Sequence, residues 1–226
     1  MTLGNVLFLG RYNCEVSNSA MRYLQKHCNK LDVIWSKDMS ERLPEFVNNW
    51  EGDYIVSFMS FFILPKSLLN KAKKDAINFH PGPPKYRGRG AASFAIYNDD
   101  SIFGVTAHLI DELIDNGKIV AVLEFSIEEG DTVETIVYKS REALYELFTL
   151  VIDSILLDGN YIQKSINSCI YQWSGKLRSI KEIDSLRKIK LDITKNELDK
   201  IIKATAIGTT VPYIELYGHK FVFRET

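Results

Sequence analysis

The sequence predicts an α/β fold, a doubly wound and mostly parallel sheet, on three observations. Short apolar runs such as "NVLFLG" and "DYIVSF" are continuous rather than alternating, as in strands buried on both faces. Amphipathic segments with helical spacing separate them. The chain of 226 residues suits one main domain carrying a small appendage.

In chain order, residues 5–10 predict a first strand ending in glycine. Residues 17–30 predict a helix, with Ser17 or Asn18 as its cap. A second strand is expected at 31–35, a helical stretch at 40–50 and a third strand at 53–58. "LPKSLLNKAKK" (64–74) predicts a short helix, with Pro65 tolerated in its first turn. "AINFH" (76–80) predicts the fourth strand, and residues 91–98 a helix after a Pro/Gly-rich loop. Two further strands, 104–110 and 118–127, are joined by "DELIDNG". The longest helical pattern, 132–156, carries Ile136, Val137, Leu144, Leu147, Phe148, Val151, Ile152 and Ile155 in one stripe. A Rossmann-like domain is therefore expected over 1–157, and a helix-plus-hairpin appendage over 158–226. In the appendage Thr194 and Glu197 have capping-box spacing, and 212–225 alternates around a Tyr217-Gly218 turn.

Composition narrows the function classes. With 28 basic and 29 acidic residues there is no excess of positive charge for a general nucleic-acid surface. Cys14, Cys28 and Cys169 are odd in number and far apart, which argues against a disulfide framework or a zinc site and fits reduced thiols in a cytoplasmic protein. The N-terminal apolar run has no basic flank and reads as a strand. No stretch approaches the length that spans a bilayer, so no membrane partner is expected. No G-x-G-x-x-G follows the first strand, which excludes the usual dinucleotide fingerprint.

The stretch "AINFHPGPPKYRGRG" carries the chemistry. Asn78 and His80 are two apart on a strand and share a face. They stand at the carboxyl end of a strand, where open parallel sheets bind ligands. Asp115 in "IDNG" supplies a carboxylate from another strand end. An amide donor, an imidazole and a carboxylate suit acyl transfer: Asn78 and His80 toward an oxyanion, Asp115 toward the imidazole and a proton. Each residue alone equally suits a turn or a satisfied core group, so residue type leaves both readings open.

"NFHPGPPKYRG", followed 37 residues after Asn78 by "DNG", resembles the folate-dependent formyltransferase family. "DYIVSFMSFFILPKSLL" is similar to that family's third strand and "ILP" loop, and the likeness runs over about residues 3–130. The resemblance implies 10-formyltetrahydrofolate as co-substrate, no metal, and Asn78, His80 and Asp115 as the catalytic residues. It places the pterin near Phe62, Ile63 and Leu64 and along Asp111, Glu112, Leu113 and Ile114. Phe61 and Met59 read otherwise as core. "HPGPP…YN" and the short C-terminal segment look most like the branch acting on nucleotide-linked amino sugars. They imply a formylated amine, with dTDP-4-amino-4,6-dideoxyglucose the favoured acceptor, and a place in O-antigen or lipopolysaccharide biosynthesis. The alternatives are a non-catalytic binding module of the same fold, or a member of the family acting on another amine.

A diphosphate-linked substrate needs local positive charge. Lys85, Arg87 and Arg11 are the candidates, beside the backbone near Gly10; Arg89 reads as a solvated charge. Tyr12 and Trp173 are candidates to stack on a base, Trp173 equally as core. The hairpin has apolar side chains on more than one face, so a homodimer through residues 212–223 is expected; cover by the 194–204 helix is the alternative.

Overall fold

A computed structural model describes residues 2–224; residue 225 of the expected hairpin segment lies outside the described residues. Six strands form the main sheet: β1 (Asn5–Arg11), β2 (Lys30–Ser36), β3 (Gly52–Phe58), β4 (Ala72–His80), β5 (Ile102–Leu109) and β6 (Ile119–Ser126). Their order is β2-β1-β3-β4-β5-β6. The first four are parallel, and β5 and β6 pair antiparallel. Both faces of β1 are covered: Val6 and Phe8 join one core cluster, Leu7 and Leu9 the other. That two-sided burial is why its sequence is continuously apolar.

Helix α1 (Glu15–Gln25) starts earlier than its cap residues suggest. Cys14 stands at the N-cap, while Ser17 is buried inside the helix, its Oγ near the Arg11 N–H at 3.4 Å. Of the expected helix at 40–50 only a 3-10 turn at Glu45–Asn49 forms, introduced by Pro44. Of 64–74 only α2 (Lys66–Leu69) is helical, because Ala72 already pairs with Gly52 and the lysine-rich remainder is drawn into β4. Sheet pairing overrides helix propensity there. Helix α3 (Ala91–Tyr97) follows the Pro/Gly loop.

Helix α4 (Val133–Leu157) lies across the sheet. Thr132 caps it: its Oγ accepts the Thr135 N–H, and the Thr132 N–H donates to Thr135 Oγ1 at 2.8 Å. Phe148 is its central anchor, with ring centroids 5.4 Å from Phe58 and 5.0 Å from Phe79. Each fully buried side chain of this kind contributes about 1.5–3 kcal/mol.

Two short helices, α5 (Tyr161–Ser168) and α6 (Ile180–Arg187), carry few apolar residues, and each buries a single isoleucine, which explains their faint sequence signal. With α7 (Lys195–Thr205), α6 clasps α3: Ile183 and Ala204 pack with Phe94 and Ala95. Glu197 does not complete a capping box. It accepts from the Tyr97 hydroxyl at 2.6 Å instead. The hairpin β7 (Tyr213–Leu216) and β8 (His219–Val222) turns at Tyr217 (φ 48°) and Gly218 (φ 80°), the two left-handed residues of its tight turn. It joins the body through the Ile189 N–H to the Tyr213 carbonyl. Among the described residues no helix is long and apolar enough to cross a membrane.

Candidate active site

Alternation along β4 sends Ile77 and Phe79 into the core under α4 and leaves Asn78 and His80 on the opposite face. The antiparallel register sets His108 of β5 directly across from Asn78, and Thr106 across from His80. Cross-strand partners on one face are in contact. Asn78 Nδ2 donates to His108 Nε2 at 3.1 Å, and His108 Nδ1 donates to the Leu109 carbonyl at 2.7 Å.

The β5–β6 turn leaves the sheet with the Ile110 N–H on the Ala76 carbonyl, then folds back along this face. It presents Asp115, whose φ of 45° marks the tight reversal. Asp115 Oδ2 is 3.3 Å from His80 Nδ1 and accepts the Gly88 N–H at 2.8 Å; Oδ1 is 3.4 Å from His108 Nε2. His80 Nε2 donates to the Tyr86 carbonyl at 3.1 Å. So the three residues singled out in the sequence converge. His108 joins them, and the pairing register was the signal that could have found it.

Burial alone would raise the Asp115 carboxyl. The nearby imidazoles of His80 and His108 and the Gly88 N–H outweigh it and hold the group well below the ordinary carboxylate range. Asp115 is thus an ionised, buried counter-charge, weakly basic and fixed in place.

Two glycines make the turn fit. A Cβ at Gly117 would sit 1.8 Å from the Leu109 carbonyl oxygen, and one at Gly88 (φ 81°) 2.3 Å from that of Arg178. Gly117→Ala is expected to destabilise by about 1–3 kcal/mol and to shift Asp115; a thermal melt unchanged from wild type would contradict this packing.

The two expected pterin-lining segments lie side by side, joined by the Lys66–Glu112 ion pair. Ile63, Leu113 and Ile114 are exposed apolar side chains on them, while Leu64 is buried in the core. Asp111 is taken up by the turn: its carboxylate accepts the Leu113 N–H at 2.9 Å and Asn116 Nδ2 at 3.1 Å.

Among the expected substrate contacts, Arg87 points inward. Its Nε donates to the Asp115 carbonyl at 2.7 Å and its Nη2 to the Ile114 carbonyl and Asn116 Oδ1, so it braces the turn instead of facing a phosphate. Lys85 is neutralised by Asp100 at 2.7 Å, beside a cavity of about 530 Å³ that Asp99 and Glu124 also line. Gly10 makes room for Trp35, whose ring a Cβ would meet at 2.5 Å. Trp173 donates Nε1 to the Gly117 carbonyl at 2.7 Å and stands edge-on to His108, centroids 4.9 Å apart, as a wall of the site. Tyr12 is half-exposed at the rim. Arg89 is not a solvated charge: it is half-buried, its guanidinium 4.9 Å from the Phe61 ring centre, and Phe61 is only partly buried. Met59 is core, as expected. Among the described residues no group of three or more His, Cys, Asp or Glu side chains is arranged to hold a metal ion.

A buried amide–imidazole–carboxylate cluster thus stands at the end of β4 in a mostly parallel α/β sheet, and comparison with known proteins gives the family. The formyl transferase family model matches residues 19–152, and the chain belongs to that family. It is 31% identical over 179 residues to the dTDP-4-amino-4,6-dideoxyglucose formyltransferase of Mycobacterium tuberculosis, covering 79% of this chain and 72% of that one. It is 37% identical over 94 residues to the GDP-perosamine N-formyltransferase of Brucella melitensis, covering 41% of this chain but only 36% of that protein's length. The crystal structure of the Helicobacter canadensis N-formyltransferase in complex with folinic acid and dTDP-3-aminofucose superposes with a TM-score of 0.68 at 22% identity, over 90% of this chain and 80% of that one, a likeness of fold.

Proposed function

We propose that the protein transfers a formyl group from 10-formyltetrahydrofolate to the amine of a nucleotide-linked amino sugar, with dTDP-4-amino-4,6-dideoxyglucose as the favoured acceptor. The observation that carries this is the convergence of Asn78, His80 and the ionised Asp115 at the end of β4. The relative aligned over most of the chain bears the name of that acceptor. The pterin would lie against Ile63, Leu113 and Ile114.

The neutral amine nitrogen attacks the formyl carbon, and a C–N bond forms while the carbonyl electron pair moves onto oxygen. Asn78 Nδ2, with a second N–H beyond the one given to His108, and the His80 Nε2–H, turned from the Tyr86 carbonyl to the substrate, stabilise that oxyanion. Collapse breaks the bond to folate N10. The proton lost by the amine ends on N10, so the products are the formamide and tetrahydrofolate. A carboxylate as acidic as Asp115 relays this proton without retaining it, and it orients the His80 ring. Incubation with 10-formyltetrahydrofolate and a panel of dTDP- and UDP-linked sugars bearing a 3- or 4-amine tests the reading. Formamide on a dTDP-linked 4-amino sugar is expected; no product from any acceptor would overturn it.

The hairpin supplies a second element of this reading. Tyr217, Phe221 and Val222 are exposed on this two-stranded sheet, and α7 packs on α3, so that side is left for a second copy of the chain. Light scattering is expected to give a dimeric mass that becomes monomeric on truncation after Gly208. A monomeric intact protein would refute the dimer.

A further inference from the structure

The turn that carries Asp115 is held from outside by two side chains, which take up its oxygens in sequence. Arg87 donates through Nη2 to the Ile114 carbonyl at 3.2 Å and to Asn116 Oδ1 at 3.0 Å, and through Nε to the Asp115 carbonyl at 2.7 Å. Trp173 Nε1 donates to the next carbonyl, that of Gly117, at 2.7 Å. Four consecutive residues thus each give one oxygen to a donor from elsewhere in the chain. The turn needs such support. Asp115 is in the left-handed region, which residues with a side chain seldom occupy and which persists where the surroundings fix it.

Arg87 and Trp173 come from different segments, and those segments are joined to each other. Trp173 stands in the connection between α5 and α6, residues 169–179, from the C-terminal part of the chain. This connection is laced to the loop after β4. The Ser174 N–H donates to the Pro84 carbonyl at 3.1 Å, the Arg178 N–H to the Arg87 carbonyl at 3.0 Å, and the Arg89 N–H to the Arg178 carbonyl at 3.0 Å. Gly175 (φ 70°) lets the two run close, since a Cβ there would lie 2.8 Å from the Lys85 carbonyl oxygen. The far end is anchored on α3, where the Arg178 guanidinium lies 3.9 Å from the Phe94 ring centre. Loop, connection and turn form one closed frame. Asp115 is suspended in it, with Oδ2 on the Gly88 N–H and 3.3 Å from His80 Nδ1. The indole also packs steeply inclined to both imidazoles, with centroids 6.1 Å from His80 and 4.9 Å from His108.

We propose that Arg87 and Trp173 are positioning residues of the catalytic cluster, and that the 169–179 connection completes the active site by locking the Asp115 turn against His80. Reading the role through turnover rests on the formyl-transfer reading; the frame does not. A displaced carboxylate neither orients His80 nor reaches the proton it relays, and a misplacement of about 1 Å can cost roughly a hundredfold in rate. The guanidinium acts here as a planar fork on several oxygens, a geometry that lysine does not reproduce.

Steady-state kinetics of Arg87→Met, Arg87→Lys and Trp173→Phe beside wild type test this. Trp173→Phe keeps an aromatic ring and removes the donor. In each variant kcat is expected to fall about tenfold or more while KM for both substrates stays within about twofold. Rescue by Arg87→Lys, or a raised KM with kcat unchanged, would make Arg87 a charge for the substrate and overturn the role. Because both residues act through Asp115, adding Arg87→Met to Asp115→Asn should cost less than about twofold further, and an undiminished loss of about tenfold in that background would also overturn it. Imidazole NMR of the ligand-free protein gives a reading that needs no acceptor. The Arg87 side chain donates to the turn and to no imidazole. Even so, Arg87→Met should move the His80 and His108 resonances and leave those of His27 and His219 in place. All four unmoved would overturn the positioning role. Moved His80 and His108 resonances in a protein that formylates no acceptor would sink the formyl-transfer reading and leave the frame standing.

Discussion

Asn78→Ala and His80→Ala are each expected to lower turnover by about a hundredfold or more while the protein keeps its fold. Loss of one oxyanion donor costs ~2.7–4 kcal/mol of transition-state stabilisation. Both side chains lie on the face of β4 away from the core, where Ile77 and Phe79 hold the strand in place. Truncation therefore removes donors without opening the cluster under α4. The interaction strengthens as charge develops on oxygen, so kcat should fall with little change in KM for either substrate. Steady-state kinetics of the two variants on the true acceptor measure this, and near-wild-type kcat in both would remove the oxyanion role.

Asp115→Asn is expected to be as damaging to turnover and to destabilise the protein as well. The carboxylate is buried and faces two histidines and a backbone N–H, and the amide carries no charge and has a single accepting oxygen. The pH dependence has a definite sign. The Asp115 pKa is lowered on folding, so its stabilisation is fully present above the unfolded carboxyl pKa and is lost as pH falls below it toward the folded one. Melting curves of wild type and Asp115→Asn should accordingly differ most near neutrality and converge in acid. A gap that widens on acidification would contradict the assignment of Asp115 as an ionised partner.

How much of this was legible follows particular residues. β1, β3 and α4 are written plainly, because two-sided burial and a long one-sided stripe leave unmistakable patterns. Residues 70–74 misled because lysines that favour a helix are carried by an edge of β4 whose pairing with β3 decides the matter. α5 and α6 were missed because each buries one apolar side chain. In the site, Asn78, His80 and Asp115 stood out through spacing and resemblance. His108 is defined by register, which a single strand does not display. Arg87 and Arg89 show the sharper limit. They sit two apart in one loop, yet the first turns inward to the 114–116 turn and the second onto Phe61. Charge in a sequence says that a cation is present, and only packing says what it faces.

The central claim is that the cluster at the end of β4 moves a formyl group between nitrogens. The most direct measurement supplies 10-formyltetrahydrofolate labelled at the formyl carbon with dTDP-4-amino-4,6-dideoxyglucose, and follows the label by NMR in wild type and in an Asn78→Ala, His80→Ala double variant. The account predicts that the label appears in an amide on the sugar nitrogen with wild type, and that this transfer is nearly abolished in the double variant. Transfer at equal rates by both proteins would contradict it.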